Sequence, residues 1–445
     1  MFKITKLKKF GTIEKIEDDI FLNDLTIFMG DNSAGKSYLA IFFDRLINIE
    51  KEIKSSNLYS EFLEKEIIDL LDKIELEKNI DISKEISTQG LENIIESVIK
   101  NFTKKYFSFL VSNSFDINIF YDIRNKVTLF IKKSQTDSIY EFFIEISLKE
   151  KNNEFGIEGK RIIEISKFNK KLFTQEIIEM ILLLLIKASV NIPSSNYLPS
   201  ARTGYLHTKD ILLNYAIDNT FFKNSQNKEK LPIWIIDFLK KLSFSKEIID
   251  NNFNKFLEEK LLNGKVRVYK DNTNIDFFIK NSRGNYNKKI DLIHTSSSIS
   301  ELIPLAVFLQ RGFIFKNSLL IIEEPEAHLS FKNQKLIAKL IAMLINNGIK
   351  VLITTHSDYL IYELNNLILA NNISKDKRPD EYKEVSIDYK KVNVYNFILK
   401  NQKSIVKKVE VSKEGIDNPF IVEALSNRID SMHKLYELIE SGNES

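Results

Sequence analysis

The loop Gly30-Asp31-Asn32-Ser33-Ala34-Gly35-Lys36-Ser37 holds the residue types and spacing that speak most directly of chemistry. Its glycines let the backbone curl so that successive N–H groups face a polyphosphate. Lys36 brings a point charge to the phosphates of ATP, and the Ser37 hydroxyl is spaced to ligate Mg2+. A second group begins at Leu319, where the apolar run LLII ends in Glu323, Glu324, Pro325 and Glu326. A buried strand delivering carboxylates at its end can hold magnesium through Glu323 and polarise an attacking water through Glu324. The third group is VLITTHSD, an apolar strand ending at Thr354, Thr355 and His356. An imidazole there can hydrogen-bond a γ-phosphate oxygen or the water. The fourth, HTSSSISELIPL from His294, sets hydroxyls at the head of a helical pattern, which by itself is an ordinary N-cap.

Such ligands need elements that present them at one edge. The loop lies between the apolar strand LTIFM and a helix predicted to begin at Lys36. Alternation in FKITKLKKF predicts a first strand, with a turn at Gly11. From about Glu50 to Lys105 the chain is charged and helical, the pattern of an inserted arm or lid, or of a solvated hairpin with a structural purpose. Period-two runs between Phe107 and Phe168 predict an antiparallel sheet. NYLPSARTGYL, broken by Pro199 and Gly204, leads into helices up to Leu262; VRVYKD, IDFFIK and KKIDLIH then read as hairpin strands. Two strands, VNVYNFI and SIVKKVEV, and a helix ending near Glu440 close the chain. The expected fold is α/β, with a mixed or parallel core sheet around the phosphate loop. Residues 1–50 and 176–375 form the core, 51–105 the helical insert, 106–175 an antiparallel β subdomain, and 376–445 the closing strands and helix.

Composition narrows the partners. With 445 residues, 43% of them hydrophobic, the chain can bury a large core. Its 64 basic and 61 acidic residues leave a formal charge of +3, so DNA binding needs a local basic patch. The lack of cysteine excludes disulfides, thiolate metal sites and thiol nucleophiles, and fits a reducing, cytoplasmic setting. The most apolar run, Ile177 to Val190, is shorter than the ~20 residues a membrane span needs and carries Glu179 and Lys187, so a buried or interface helix is expected. The N-terminus has no signal-peptide core.

The motifs GDNSAGKS, NYLPSARTG, HTSSSISELIPL, LLIIEEPEAHLS and ITTHSDYL, in this order, resemble the ABC-type ATPase head of RecF and SMC proteins, and most closely the stand-alone bacterial branch near the OLD nucleases. That resemblance implies a P-loop ATPase working as a homodimer or higher oligomer through head-to-tail ATP sites. Ser296 takes the place of the signature serine, which reaches the nucleotide held by a second copy, with Ser298 at a position where glycine is usual. Ala327 to Ser330 corresponds to the D-loop, with His328 near the interface, and Arg202 is a candidate to line the site. The likeness of KEGIDNPFIVEAL to a Toprim opening is passing, and too few residues follow it for a nuclease domain. An ATPase of this branch without an effector resembles PtuA of the Septu phage-defence system and AriA of PARIS, which work through a separate nuclease or toxin. The competing readings are a RecF-like repair ATPase that binds DNA through the insert or through Lys400 to Lys408, and a nucleotide-gated scaffold with little hydrolysis.

Overall fold

The computed structural model describes residues 3–49, 80–81, 96, 99–100, 102–104, 106–120, 126–133, 139–150, 153–164, 192–221, 231–244, 249, 251–269, 273–281, 283–286, 288–417 and 431–435. Most of the expected arm of residues 51–105, the apolar helix of residues 177–190 and the end of the tail helix lie outside them. The alternating N-terminal segment forms β1 (Lys3–Phe10), which buries Ile4, Leu7 and Phe10. After the turn at Gly11 come β2 (Ile13–Ile16), β3 (Ile20–Phe21) and β4 (Leu25–Gly30), and then α1 (Lys36–Ile47). The middle of the chain supplies β5 (Ile80–Asp81), β6 (Val111–Phe120), β7 (Lys126–Lys133), β8 (Ile139–Glu150) and β9 (Asn153–Glu164). There follow β10 (Ser195–Leu198), α2 (Arg202–Phe221), α3 (Ile233–Ser243) and α4 (Asn252–Phe256), which runs on into a π-turn over Leu257–Leu262.

A small antiparallel sheet, β11 (Gly264–Val268), β12 (Ile275–Ile279) and β13 (Lys288–Ile290), precedes α5 (Ser297–Gln310). The last elements are β14 (Leu319–Glu323), α6 (Phe331–Asn346), β15 (Lys350–Thr355), α7 (Asp358–Asn371), β16 (Val392–Lys400) and β17 (Lys403–Val409).

These strands build a ten-stranded sheet in the order β10-β14-β15-β4-β16-β17-β2-β1-β3, with β6 added on β1. Its five strands from β10 to β16 are parallel neighbours. That arrangement explains why LLII, VLIT and LTIFM are apolar without alternation: a parallel strand covered on both faces has no solvent side. One face carries Ile27, Ile322 and Ile353 into a core shared with α5, α6 and α7. On the other, Phe28 packs 6.3 Å from Phe43 of α1.

One strand goes elsewhere than the sequence pattern suggests. β6 leaves the period-two group and pairs with β1, while β5, β7, β8 and β9 make their own antiparallel sheet. The reason is aromatic packing: Phe10 of β1 meets Phe42 of α1, Phe107 and Phe115 of β6 at 5.7 to 6.2 Å, so the apolar face of β6 is covered by the core sheet. Alternation fixes which face of a strand is buried and leaves its partner open.

Candidate active site

Register brings the candidate ligands to one level. Leu198 pairs with Ile322, Glu323 with Thr354, and Thr355 with Met29. Four parallel strands therefore release Pro199, Glu324, His356 and the phosphate loop side by side at their carboxyl ends, where open α/β sheets bind ligands.

The loop itself is shaped by close packing. Gly30 has φ 119°, and a Cβ there would run into the Phe397 carbonyl of β16; Gly35 has φ 96° with Ile13 against it. Asp31 N–H donates to the Phe397 carbonyl at 3.1 Å, Leu399 N–H donates to the Asp31 carboxylate at 2.8 Å, and the Ser404 hydroxyl donates to the Ala34 carbonyl at 2.7 Å. The hairpin of β16 and β17 thus braces a loop that leaves Asn32 and Ser33 exposed. α1 begins without a side-chain cap, so its first N–H groups are free to meet an anion.

Lys36 is 5% exposed, and its ammonium donates to the carbonyls of Gly30 at 2.9 Å and Asp31 at 2.6 Å. Burial pushes its pKa down to about 8, against the pull of Glu324, Asp31, Glu326 and Glu323. The same ammonium lies 3.4 Å from Nδ1 of His356, whose Nε2 lies 3.6 Å from Glu324 Oε1. Both ring nitrogens thus face a polar partner, Lys36 at Nδ1 and Glu324 at Nε2. Burial, then the charge of Lys36, hold the imidazole below its ordinary pKa, so it stays neutral near pH 7. Lys36, His356 and Glu324 form one contiguous chain of groups.

Glu323 is buried. Its Oε2 accepts from Ser200 N–H at 3.1 Å, whereas Oε1 has no hydrogen-bond partner. Burial raises its pKa, opposed by the Ser200 N–H and by the nearby hydroxyls of Ser37 and Tyr197. A buried carboxylate oxygen left open near a serine hydroxyl is a donor set that suits a hard divalent cation, so Ser37 and Glu323 fit Mg2+. Among the described residues no cluster of three or more His, Asp or Glu could hold a metal, and magnesium would complete its shell with phosphate oxygens and water.

Two residues do more than the sequence shows. Glu326 Oε1 accepts from the Thr355 hydroxyl at 2.6 Å and from the N–H groups of His356 at 2.9 Å and Ser357 at 3.2 Å, fixing the end of β15 on which His356 stands. Arg202 reaches the carbonyls of Glu323 at 2.6 Å and Glu324 at 3.2 Å. The run Glu-Glu-Pro-Glu gave Glu326 no separate role, and the Arg202 contacts span 121 and 122 positions, beyond any local pattern.

Ser296 and Ser298 stand apart from this group. Ser296 is the N-cap of α5, yet its hydroxyl caps nothing and contacts the Ser298 hydroxyl at 3.1 Å. By contrast Ser330 accepts from Asn333 N–H and Ser357 from Leu360 N–H, so those serines serve their own helices.

The model of the AAA ATPase domain family matches residues 2–361. No curated protein matches the chain. Among solved structures the chain is similar to an Smc head bound to the C-terminal winged-helix domain of ScpA (12% identity, 92% of this chain and 98% of that one, TM-score 0.38). The SMC head domain from Thermotoga maritima follows (11%, 92% and 99%, 0.31). A third is an Smc head with an extended coiled coil bound to the C-terminal domain of ScpA, from Pyrococcus furiosus (12%, 97% and 100%, 0.36).

Proposed function

Since the chain belongs to the AAA ATPase domain family, whose model spans residues 2–361, we propose that it binds Mg·ATP at the Gly30–Ser37 loop and hydrolyses it with Glu324 as general base. The observation that carries this reading is the chain of contacts from Lys36 through His356 to Glu324 across three adjacent strand ends. The loop N–H groups and Lys36 hold the β- and γ-phosphates. His356, held neutral, orients a water or a γ-phosphate oxygen, and Glu324 takes the proton of the attacking water. Ser37 and Glu323 would hold magnesium, which would supply charge neutralisation at the phosphate oxygens. The ammonium is bound by Gly30 and Asp31 carbonyls, and phosphate oxygens offer it stronger, charge-assisted partners.

The uncapped Ser296 supports the second half of the proposal: the head of α5 meets the nucleotide of a second copy, in a head-to-tail dimer with two ATP sites. The sequence motifs further support a regulatory or sensor ATPase of the ABC-type, OLD-like branch, acting in a phage-defence or toxin module through a separate effector. The Lys-rich β17 argues against a RecF-like DNA surface, since Lys403 and Lys407 face Glu14 and Glu17 at 3.3 and 2.8 Å and Lys408 lies over the Phe21 ring. Among the described residues no helix is long and apolar enough to cross a membrane.

The test is steady-state ATP hydrolysis and solution mass of wild type and Glu324→Gln, with and without double-stranded DNA. Hydrolysis abolished in Glu324→Gln, with dimers that persist in ATP and no response to DNA, is the expected result. Stimulation by DNA moves the chain to the repair reading, and absence of turnover in wild type leaves a nucleotide-gated scaffold.

A further inference from the structure

Arg202 and Glu301 form an ion pair in the interior of the molecule, at 2.9 Å, with side chains 3% and 1% exposed. The guanidinium is spread over two parts of the site. Nε donates to the Glu301 carbonyl at 3.1 Å, on α5, while Nη1 donates to the carbonyls of Pro199 at 3.0 Å and Glu323 at 2.6 Å, and Nη2 to that of Glu324 at 3.2 Å. Glu301 in turn accepts from Thr203 N–H at 3.1 Å, locking the start of α2 to α5. Ala201, just before the arginine, has φ 56°, and Glu324 has φ 45°, so both ends of the bridge sit on backbone that L-residues adopt only when their surroundings hold them there.

We propose that the Arg202–Glu301 pair is a positioning couple that links the head of α5 to the catalytic strand end of the same chain. The proposal rests on the reading that Ser296 meets the nucleotide of a second copy. Glu301 lies five residues beyond Ser296, about 7.5 Å along the helix axis, so α5 moves Ser296 and Glu301 as one body. A shift of α5 when the second copy docks is passed by one planar, five-donor group to the carbonyls of Glu323 and Glu324, re-aiming the Glu324 carboxylate. Hydrolysis thereby follows docking. Arg202 touches neither nucleotide nor water in this scheme; it acts through Glu324.

The test uses the full chain in three variants: Glu301→Gln, which retains the acceptor for Thr203; Arg202→Lys, which keeps the charge but loses the fork; and the double change Arg202→Met with Glu301→Leu, which removes both charges together and so avoids an unpaired buried ion. ATP affinity, kcat and the melting curve are measured for each. The expected result is kcat lower by about 10- to 100-fold with ATP affinity within about 2-fold of wild type, because a misplaced base impairs the chemical step and not binding. The kcat losses of Glu301→Gln and Arg202→Lys should not add when the two are combined. Turnover retained in a folded variant, affinity lost in step with turnover, or failure of all three variants to fold each overturn the proposal. Lys36→Ala and wild type run alongside separate the two ideas: normal ATP binding by Lys36→Ala, or no hydrolysis by wild type, defeats the ATPase reading, whereas their expected behaviour with undiminished turnover in Glu301→Gln defeats the coupling alone.

Discussion

Replacing Glu326 with Gln probes how His356 is held. The carboxylate oxygen Oε1 accepts three hydrogen bonds, from the Thr355 hydroxyl and the His356 and Ser357 N–H groups, at 2.6, 2.9 and 3.2 Å. Bonds to a charged acceptor contribute about 1.5–3 kcal/mol each and bonds to a neutral one about 0.5–1.5 kcal/mol, so the amide forfeits about 1 kcal/mol per bond. Three bonds give about 3 kcal/mol, and partial exposure of Glu326 brings the expected loss of stability to about 2 kcal/mol. The buried Oε2, which has no partner, becomes a buried NH2 with no acceptor if the amide keeps its oxygen toward β15, so relief by flipping is blocked. The loss is read by urea unfolding in the absence of nucleotide. Turnover should fall further than stability implies, because the backbone that carries His356 loosens. Repeating the change in a His356→Ala background separates the two: the stability loss should remain while the effect on kcat disappears. Fully additive effects on kcat would show that Glu326 acts independently of His356, and unchanged stability would show that the triple acceptor contributes nothing.

Lys36→Ala removes a cation that phosphate oxygens would bind by charge-assisted contacts of about 3 kcal/mol, so ATP affinity should fall by about 100-fold in equilibrium dialysis, with the protein still folded. Asp44 gives a pH prediction far from the chemistry. Burial alone would raise its carboxyl, but the charges of Arg45 and Lys241 and the hydrogen bonds of Arg45 and Ser195 hold it below the usual carboxylate value. A depressed folded pKa adds stability that is present above the unfolded value near ~4 and lost as pH falls through the folded value. Asp44→Asn should therefore destabilise the protein by about 3 kcal/mol at pH 7, by leaving Arg45 short of a buried partner, and flatten the acid limb of its stability curve below pH ~4; an unchanged acid limb would refute this.

Much of the site could be read from short segments because each motif is local. The glycine-rich loop, the start of α1 at Lys36 and the strand ending in Glu323 all follow from residue type within a short stretch of contiguous sequence. The order of the strands is a different matter. That β15, late in the chain, inserts between β4 and β14 and so places His356 between Lys36 and Glu324 depends on pairings across hundreds of positions, which no periodicity encodes. The same limit applies to β6, whose apolar face could be covered by any sheet, and to β16, whose Phe397 carbonyl explains why position 30 is glycine. Arg202 lay in a motif marked only by resemblance, and nothing in its neighbours names Glu301 as its partner.

What the sequence hides most completely is strain. Among the described residues nine other than glycine have positive φ. Asn263, Asn317, Asn401 and Gln402 turn the chain between elements, and Lys9 lies inside β1 where its pairing with β6 shifts register between Lys8 and Phe10; Ser33, Ala201, Glu324 and His328 lie in the four-strand edge or the turn that follows it. Each such residue costs of order 1–3 kcal/mol and persists only where its neighbours over-determine it. For Glu324 the determinants are visible: its N–H donates to the Thr354 carbonyl at 2.9 Å, its carbonyl accepts from Arg202, and Ala327 N–H closes a turn onto that carbonyl at 3.0 Å. Glycine would relieve the backbone at that position, but the proposed chemistry requires a carboxylate there, so the surrounding contacts sustain a conformation that the residue itself disfavours. The strain at Glu324 is thus maintained by Arg202 and by the end of β15, and a base held against its own preference is one that a small displacement of either neighbour can move.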